Sequence, residues 1–300
     1  MSTVEKKGFD TLFGAKRGIK FNEVLFECVN DCFGLSREEF FGKRWRKWEP
    51  ADEVHTVRPW VQPTANALNE EWLERRDADW LYNHPEYKWD SIACSIWGST
   101  GASLAGLNLL FKEGFTDPKY IFDWGAGSGL TSLLLAKNFP NAEVHFSEIN
   151  EDLIAMFDWF KDRSGLENIH HVRGPVRNDY DLIQALEIVE HIPWDKRERV
   201  GDPMTELLNI LEHASDNAKF ILCSDFKGEL KWTALGHFIS YWVAGKEWPY
   251  THMHKPIEEE LERHGWNFLV KGFNGVPRLF TKGEHTLIGK GYMSSMIKSR

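Results

Sequence analysis

Cysteine is scarce in this chain: four residues in 300, at Cys28, Cys32, Cys94 and Cys223. That number and spacing exclude a disulfide framework and a cysteine-rich metal module. Cys28 and Cys32 are four apart, neighbours on a helix, but Val24, Leu25 and Val29 surround them, so buried reduced thiols are expected. Long hydrophobic runs are missing too. None approaches the roughly 18 to 20 residues that a membrane-crossing helix needs, and no membrane partner is expected. Met1 to Lys7 is polar and no apolar core follows, which does not suit a secretory signal; cytoplasm is the expected compartment. Positive charge is not in excess. A formal net charge of -9 offers no general attraction to nucleic acid or anionic lipid and fits a soluble protein. Internal repeats and low-complexity segments are also absent.

Tryptophan, in contrast, is abundant. Fourteen occur, and Trp45, Trp48, Trp60, Trp72, Trp80, Trp89 and Trp97 all lie before residue 100. Tryptophan serves cores, interfaces and flat-ligand stacking alike, so the N-terminal third is more than a disordered tail. Residues 1–90 read as mainly helical, broken at Pro50, Pro59, Pro63 and Pro85. Residues 91–300 read as a second unit, opened by one or two helices between Ser91 and Phe115.

Within that unit, Ile121-Phe122-Asp123-Trp124-Gly125-Ala126-Gly127-Ser128-Gly129 carries the most information. An apolar strand runs into a glycine-rich turn that opens a helix. A second strand, Val144 to Ser147, ends on Glu148. Glycines let backbone approach a ligand closely, and an acidic side chain about 20 residues on can bind a ribose diol. Together they describe a site for a nucleoside-containing cofactor. A turn that merely packs a helix against a strand is the competing account of the glycines alone. The third glycine comes one position earlier than in the dinucleotide pattern G-x-G-x-x-G.

From Tyr120 onward, strand and helix patterns alternate, the signature of a parallel α/β sheet. Strands are expected at Tyr120–Trp124, Glu143–Ser147, Ile169–Arg173, Asp181–Val189 and Lys219–Ser224. Helices are expected at Ser128–Asn138, Glu151–Arg163, Pro203–Ala214 and Ile257–His264. Only a short connector precedes the fourth strand. Asn267–Gly272 and Arg278–Thr281 suit a terminal hairpin.

The pattern D-x-G-x-G-x-G is similar to the first motif of the class I S-adenosylmethionine (SAM) methyltransferases. The resemblance covers roughly residues 95–285 and implies a Rossmann-like sheet closed by an antiparallel hairpin. It also implies a SAM cofactor held by Asp123, Gly125, Ala126, Gly127, Gly129, Glu148, Ile149 and Leu186, with Glu148 on the ribose.

The expected fourth strand ends as Glu187-Ile188-Val189-Glu190-His191, at the strand ends where ligands collect in such sheets. This E-x-x-E-H resembles that of the ubiquinone-biosynthesis O-methyltransferases and of the small-RNA 3′-terminal 2′-O-methyltransferases. In those families such side chains hold a divalent cation with a later histidine. The resemblance implies Glu187, Glu190, His191 and His252 as metal ligands (Mg²⁺, Mn²⁺ or Zn²⁺), with His254 in reserve. It implies Glu187, His191 and His252 as catalytic groups. Metal ligation, direct general-base use of His191 or His252, and structural roles all remain open.

Other signals are two-sided. Lys43, Arg44, Arg46 and Lys47 interleaved with Trp45 and Trp48 suit a nucleic-acid groove or an amphipathic surface. Trp232 to Tyr250 suits an aromatic lid or a helix with an apolar core side. Trp124 suits a cation–π partner of the cofactor or a ring turned inward; Ser95, Trp97 and Ser99 could touch the cofactor carboxylate. Glu258 to Glu260 suits an exposed helix start. The expected activity is SAM-dependent methylation of a hydroxyl on a small phenol, catechol or sugar. RNA or DNA methylation and a non-catalytic methyltransferase-like partner subunit are the alternatives. Oligomeric state is open.

Overall fold

A computed structural model describes residues 19–39, 71, 75, 77–85, 88, 92, 99–186, 188–189, 203–223, 260–270 and 277–283. Apart from a three-residue helical turn at Arg37–Glu39, the chain order is α1 (Ile19–Phe33), α2 (Ala78–Tyr82), α3 (Ser99–Lys112), β1 (Tyr120–Trp124), α4 (Leu130–Asn138), β2 (Glu143–Ser147), α5 (Glu151–Ser164), β3 (Ile169–Val172). It continues with β4 (Tyr180–Leu186), α6 (Pro203–Leu211), β5 (Ala214–Cys223), β6 (Trp266–Val270) and β7 (Arg278–Lys282). The strands form one sheet in the order β3-β2-β1-β4-β5-β7-β6. Neighbours from β3 through β5 are parallel. β7 runs antiparallel between β5 and β6, giving the terminal hairpin and the Rossmann-like α/β fold expected of the class I methyltransferase sheet.

The chain leaves β1 toward β2 and β3 on one side, and β4 lies on the other. The carboxyl ends of β1 and β4 therefore bound a topological switch point, where ligands settle in open α/β sheets. Strand alternation sorts side chains into two cores. Ile121, Val144, Phe146, Leu182 and Ile221 face one layer with Leu133, Leu135, Phe157 and Phe160. Phe122, Ile183, Ala185, Phe220 and Phe280 face the other with Leu207, Leu211 and Leu261. Both sides are covered, which is why the strands read as continuous apolar runs.

Local chemistry accounts for the helix ends beside the switch point. Asn150 caps α5, its side chain accepting from Leu153 N, and Glu151 and Asp152 occupy the first turn, where negative charge complements the helix dipole. Gly165 closes α5 at φ 68°. Leu130 through Ala136 of α4 are all buried, as suits a helix wedged between neighbours.

Some expectations are corrected. α6 ends at Leu211, and Ala214 already belongs to β5 rather than to the helix. His213 is anchored by Arg177 O and Asn178 Oδ1, and its carbonyl accepts from Tyr180 N, so pairing with β4 begins there. β4 ends at Leu186, opposite Cys223 of β5, short of Val189. No helix separates β3 from β4, in line with the short connector.

The N-terminal α1 shares the first core. Leu25, Cys28 and Val29 are buried within it, and Asp31 accepts from Trp159 Nε1 of α5 at 2.8 Å and from Arg163 at 3.2 Å. Cys28, Cys32 and Cys223 are free thiols. Burial pushes the Cys28 thiol up. Among the described residues, no helix is long and apolar enough to cross a membrane.

Candidate functional site

The turn after β1 lies at the switch point. Gly125, Gly127 and Gly129 all adopt positive φ, at 65°, 59° and 69°, a region other residues enter only at a cost. A Cβ at Gly125 would fall 2.0 Å from Ile188 Cδ1, and one at Gly129 would fall 2.4 Å from Phe157 Cδ2. The glycines thus let the chain reverse and let α4 approach α5. Ala126 N donates to Ser147 O at 3.0 Å, tying the turn to the end of β2.

Glu148 stands beside this turn. Its Oε2 accepts from Gly127 N at 2.8 Å. Its Oε1 accepts from Ile149 N at 2.8 Å and Asn150 N at 2.9 Å. The residue is only part-buried, and Oε2, with one donor against two on Oε1, retains a lone pair for a further hydroxyl. Loss of hydration raises its pKa above the ordinary carboxylate value, against the lowering effect of the three N–H groups; nearby Asp123 raises it further. His171 Nε2 lies 3.0 Å from Glu148 O, and its ring packs on Phe146. Ile149 follows, 42% exposed, an apolar surface next to the carboxylate.

Asp123, expected among the cofactor-binding residues, lies beneath the turn rather than on its open side, 1% exposed. Its Oδ2 accepts from Thr131 Oγ1 at 2.8 Å and Ser132 Oγ at 2.6 Å. Its Oδ1 accepts from Gln184 Nε2 at 3.0 Å. Burial raises its pKa, and these three donors pull the other way. The side chain therefore binds β1 to the first turn of α4 and to β4. Thr131, Ser132 and Gln184 went unnoticed in the sequence. Two hydroxyls in the apolar run from Leu130 to Ala136 were the available signal for the first pair.

The structure brings Gly125, Ala126, Gly127, Gly129, Glu148 and Ile149 together at one corner, with Leu186 buried at the end of the neighbouring β4. Trp124 is half-buried against the second core. Glu187, Glu190, His191, His252 and His254 lie outside the described residues, as do Cys94, Ser95, Trp97, the Lys43–Trp48 cluster and the Trp232–Tyr250 segment. Among the described residues, no group of histidine, cysteine and acidic side chains is placed to hold a metal ion.

No family model matches the sequence. Solved structures share the backbone course at low identity. A candidate O-methyltransferase of Nostoc punctiforme aligns over 66% of this chain and 60% of its own, with TM-score 0.49 and 17% identity. This chain thus spans about 60% of the length of that protein. A candidate SAM-dependent methyltransferase of Methanococcus maripaludis aligns over 69% of this chain and 96% of its own, at TM-score 0.46 and 17% identity. Magnesium protoporphyrin IX methyltransferase of Synechocystis, solved with bound S-adenosylhomocysteine, aligns over 74% of this chain and 99% of its own, at TM-score 0.48 and 17% identity.

Proposed function

We propose that this chain is a SAM-dependent methyltransferase acting on a hydroxyl group. The carrying observation is the Glu148 carboxylate, held by three backbone N–H groups against a positive-φ glycine turn at the switch point of the sheet. That juxtaposition suits a nucleoside. An acceptor oxygen is left for the ribose, the bare turn allows close approach, and Ile149 offers an apolar surface beside them. When bound, SAM supplies an electrophilic methyl carbon, and its transfer rewards positioning above proton chemistry. Glu148 and Ile149 would orient the nucleoside. Asp123 would act from below, by holding the turn against α4 and β4.

The acceptor side rests on the sequence. Glu187, Glu190, His191 and His252 form a donor set of two carboxylates and two imidazoles, which suits a divalent cation. When bound there, such a cation would lower the pKa of an acceptor hydroxyl and fix its direction. A small phenol, catechol or sugar is the acceptor class proposed to meet it. Calorimetry with S-adenosylhomocysteine tests the cofactor assignment. Wild-type protein is expected to bind, and Glu148→Ala to lose at least tenfold in affinity, consistent with a charge-assisted hydrogen bond of about 1.5–3 kcal/mol. No heat with the wild type, together with an indifferent Glu148→Ala, would sink the assignment.

A further inference from the structure

Four consecutive residues at the cofactor corner, Ile149 to Asp152, are all held from a segment more than sixty positions earlier in the chain. Asn83 Nδ2 donates to Ile149 O at 3.0 Å, and Asn83 Oδ1 accepts from Glu151 N at 3.0 Å. Asn150 Nδ2 donates in return to Tyr82 O. Lys88 Nζ pairs with Asp152 Oδ1 at 2.8 Å. The peptide between Ile149 and Asn150 is gripped at both ends: its carbonyl by Asn83, its N–H by Glu148 Oε1. A peptide unit is planar and rigid. Its orientation therefore sets where the Glu148 carboxylate rests, and Asn83 sets that orientation.

The segment that carries Asn83 has its own order. Asp77 caps α2, its Oδ1 accepting from Trp80 N at 3.0 Å. Asn83 Nδ2 also donates to Asp79 Oδ1 at 3.0 Å, and Arg75 lies 4.7 Å over the Trp80 ring. Leu81, 1% exposed, anchors it to the body. Asp77, Asp79 and Asn83 are exposed on one short helix and its C-terminal turn, the surface setting from which locally opening units are drawn.

We infer that residues 77–85 form a latch on the nucleoside site, with Asn83 as a positioning residue, so that latch docking and cofactor binding reinforce one another. The inference rests on the nucleoside assignment of Glu148. Linkage makes the effect reciprocal: what orients Glu148 for the ligand is itself stabilised when the ligand binds. Asn83 touches no reacting atom; it acts through the Ile149 peptide.

The test uses the full chain, with S-adenosylhomocysteine as probe, and compares wild type, Asn83→Ala and Lys88→Met. Hydrogen exchange of the amides at 77–85 in the wild type is expected to slow on adding the probe. Asn83→Ala is expected to weaken probe binding about tenfold, within the usual range of site coupling, while the thermal midpoint of the ligand-free protein stays put. Lys88→Met, which cuts the segment's tie to Asp152 but spares the Ile149 peptide, is expected to change affinity less than twofold. The latch is overturned by unchanged exchange in the wild type on binding. It is equally overturned by wild-type affinity in Asn83→Ala, or by an equal loss in Lys88→Met. A wild type that does not bind the probe removes the nucleoside assignment and the latch together; binding with an indifferent Asn83→Ala removes the latch alone.

Discussion

Gly129→Ala isolates the physical requirement behind the glycine turn. Gly129 caps α4 at φ 69° and ψ 6°, a left-handed conformation that costs a residue with a Cβ about 1–2 kcal/mol. The new methyl would stand 2.4 Å from Phe157 Cδ2, with Cγ at 3.1 Å and Cβ at 3.3 Å. Phe157 cannot swing aside easily, because it is 1% exposed and its ring packs 4.1 Å from that of Phe146. Overpacking of this kind costs about 1–3 kcal/mol. Against it stands a gain of about 0.4–1 kcal/mol from the less flexible unfolded chain. The net expectation is a loss of about 2–4 kcal/mol, a sizeable part of a typical total of about 5–15. Urea denaturation reads it as a lower midpoint at unchanged slope. A double-mutant cycle with Phe157→Leu separates the clash from the backbone cost: the penalty of Gly129→Ala should shrink by about 1 kcal/mol or more when the ring is gone. Stability within about 0.5 kcal/mol of wild type, the scatter of ordinary surface changes, would refute the reasoning.

Asp123→Ala strands Thr131, Ser132 and the Gln184 amide and should cost about 3 kcal/mol by chemical denaturation. Asp123→Asn should stay within about 1 kcal/mol of wild type, because burial already disfavours the charge. Its amide also brings a donor to a site where Gln184 Oε1 lacks a partner among the described residues. Since the Glu148 pKa is raised, its protonated form persists to higher pH than that of an ordinary glutamate. Affinity for S-adenosylhomocysteine should therefore fall on acidification from a point above the ordinary carboxylate range, and calorimetry on Glu148→Gln should show that dependence gone. Stability of the ligand-free fold has the opposite sign: the raised Asp123 and Glu148 contribute most below their unfolded-state values, and that contribution is lost as pH rises through the folded-state ones. If Glu187, Glu190, His191 and His252 hold a cation, methyl transfer to a catechol should stop in EDTA and return with added Mg²⁺, Mn²⁺ or Zn²⁺; full turnover in the chelator would remove the metal from the proposal.

The strands from Tyr120 to Cys223, the glycine turn and the start of α5 were legible because each is dictated locally. Apolar runs between turn residues make strands that are buried on both faces. Closely spaced glycines permit positive φ, and the helix expected from Glu151 does start there, with Asn150 as the cap that the structure adds. The resemblance to class I methyltransferases added the antiparallel closing of the sheet; the order β5-β7-β6 came from the structure. Where long-range contacts compete, the local pattern was not enough. The α6 periodicity runs on to Ala214, but His213 is held by Arg177 and Asn178, and the chain joins the sheet there. Asp123 beside three glycines reads as a ligand contact. Strand alternation and the β1–β4 register, with Asp123 opposite Gln184, turn it into the helix layer instead. Asn83 carries no signal of its tie to the Glu148 corner, because Ile149 and Glu151 are 66 and 68 positions away. The sequence by itself determined which segments become strands and where the chain can reverse, since backbone preference and apolar burial act over a few neighbours. Tertiary structure alone decided which polar side chains support the turn and which face the Glu148 corner, because that depends on register and packing between segments that only folding brings together.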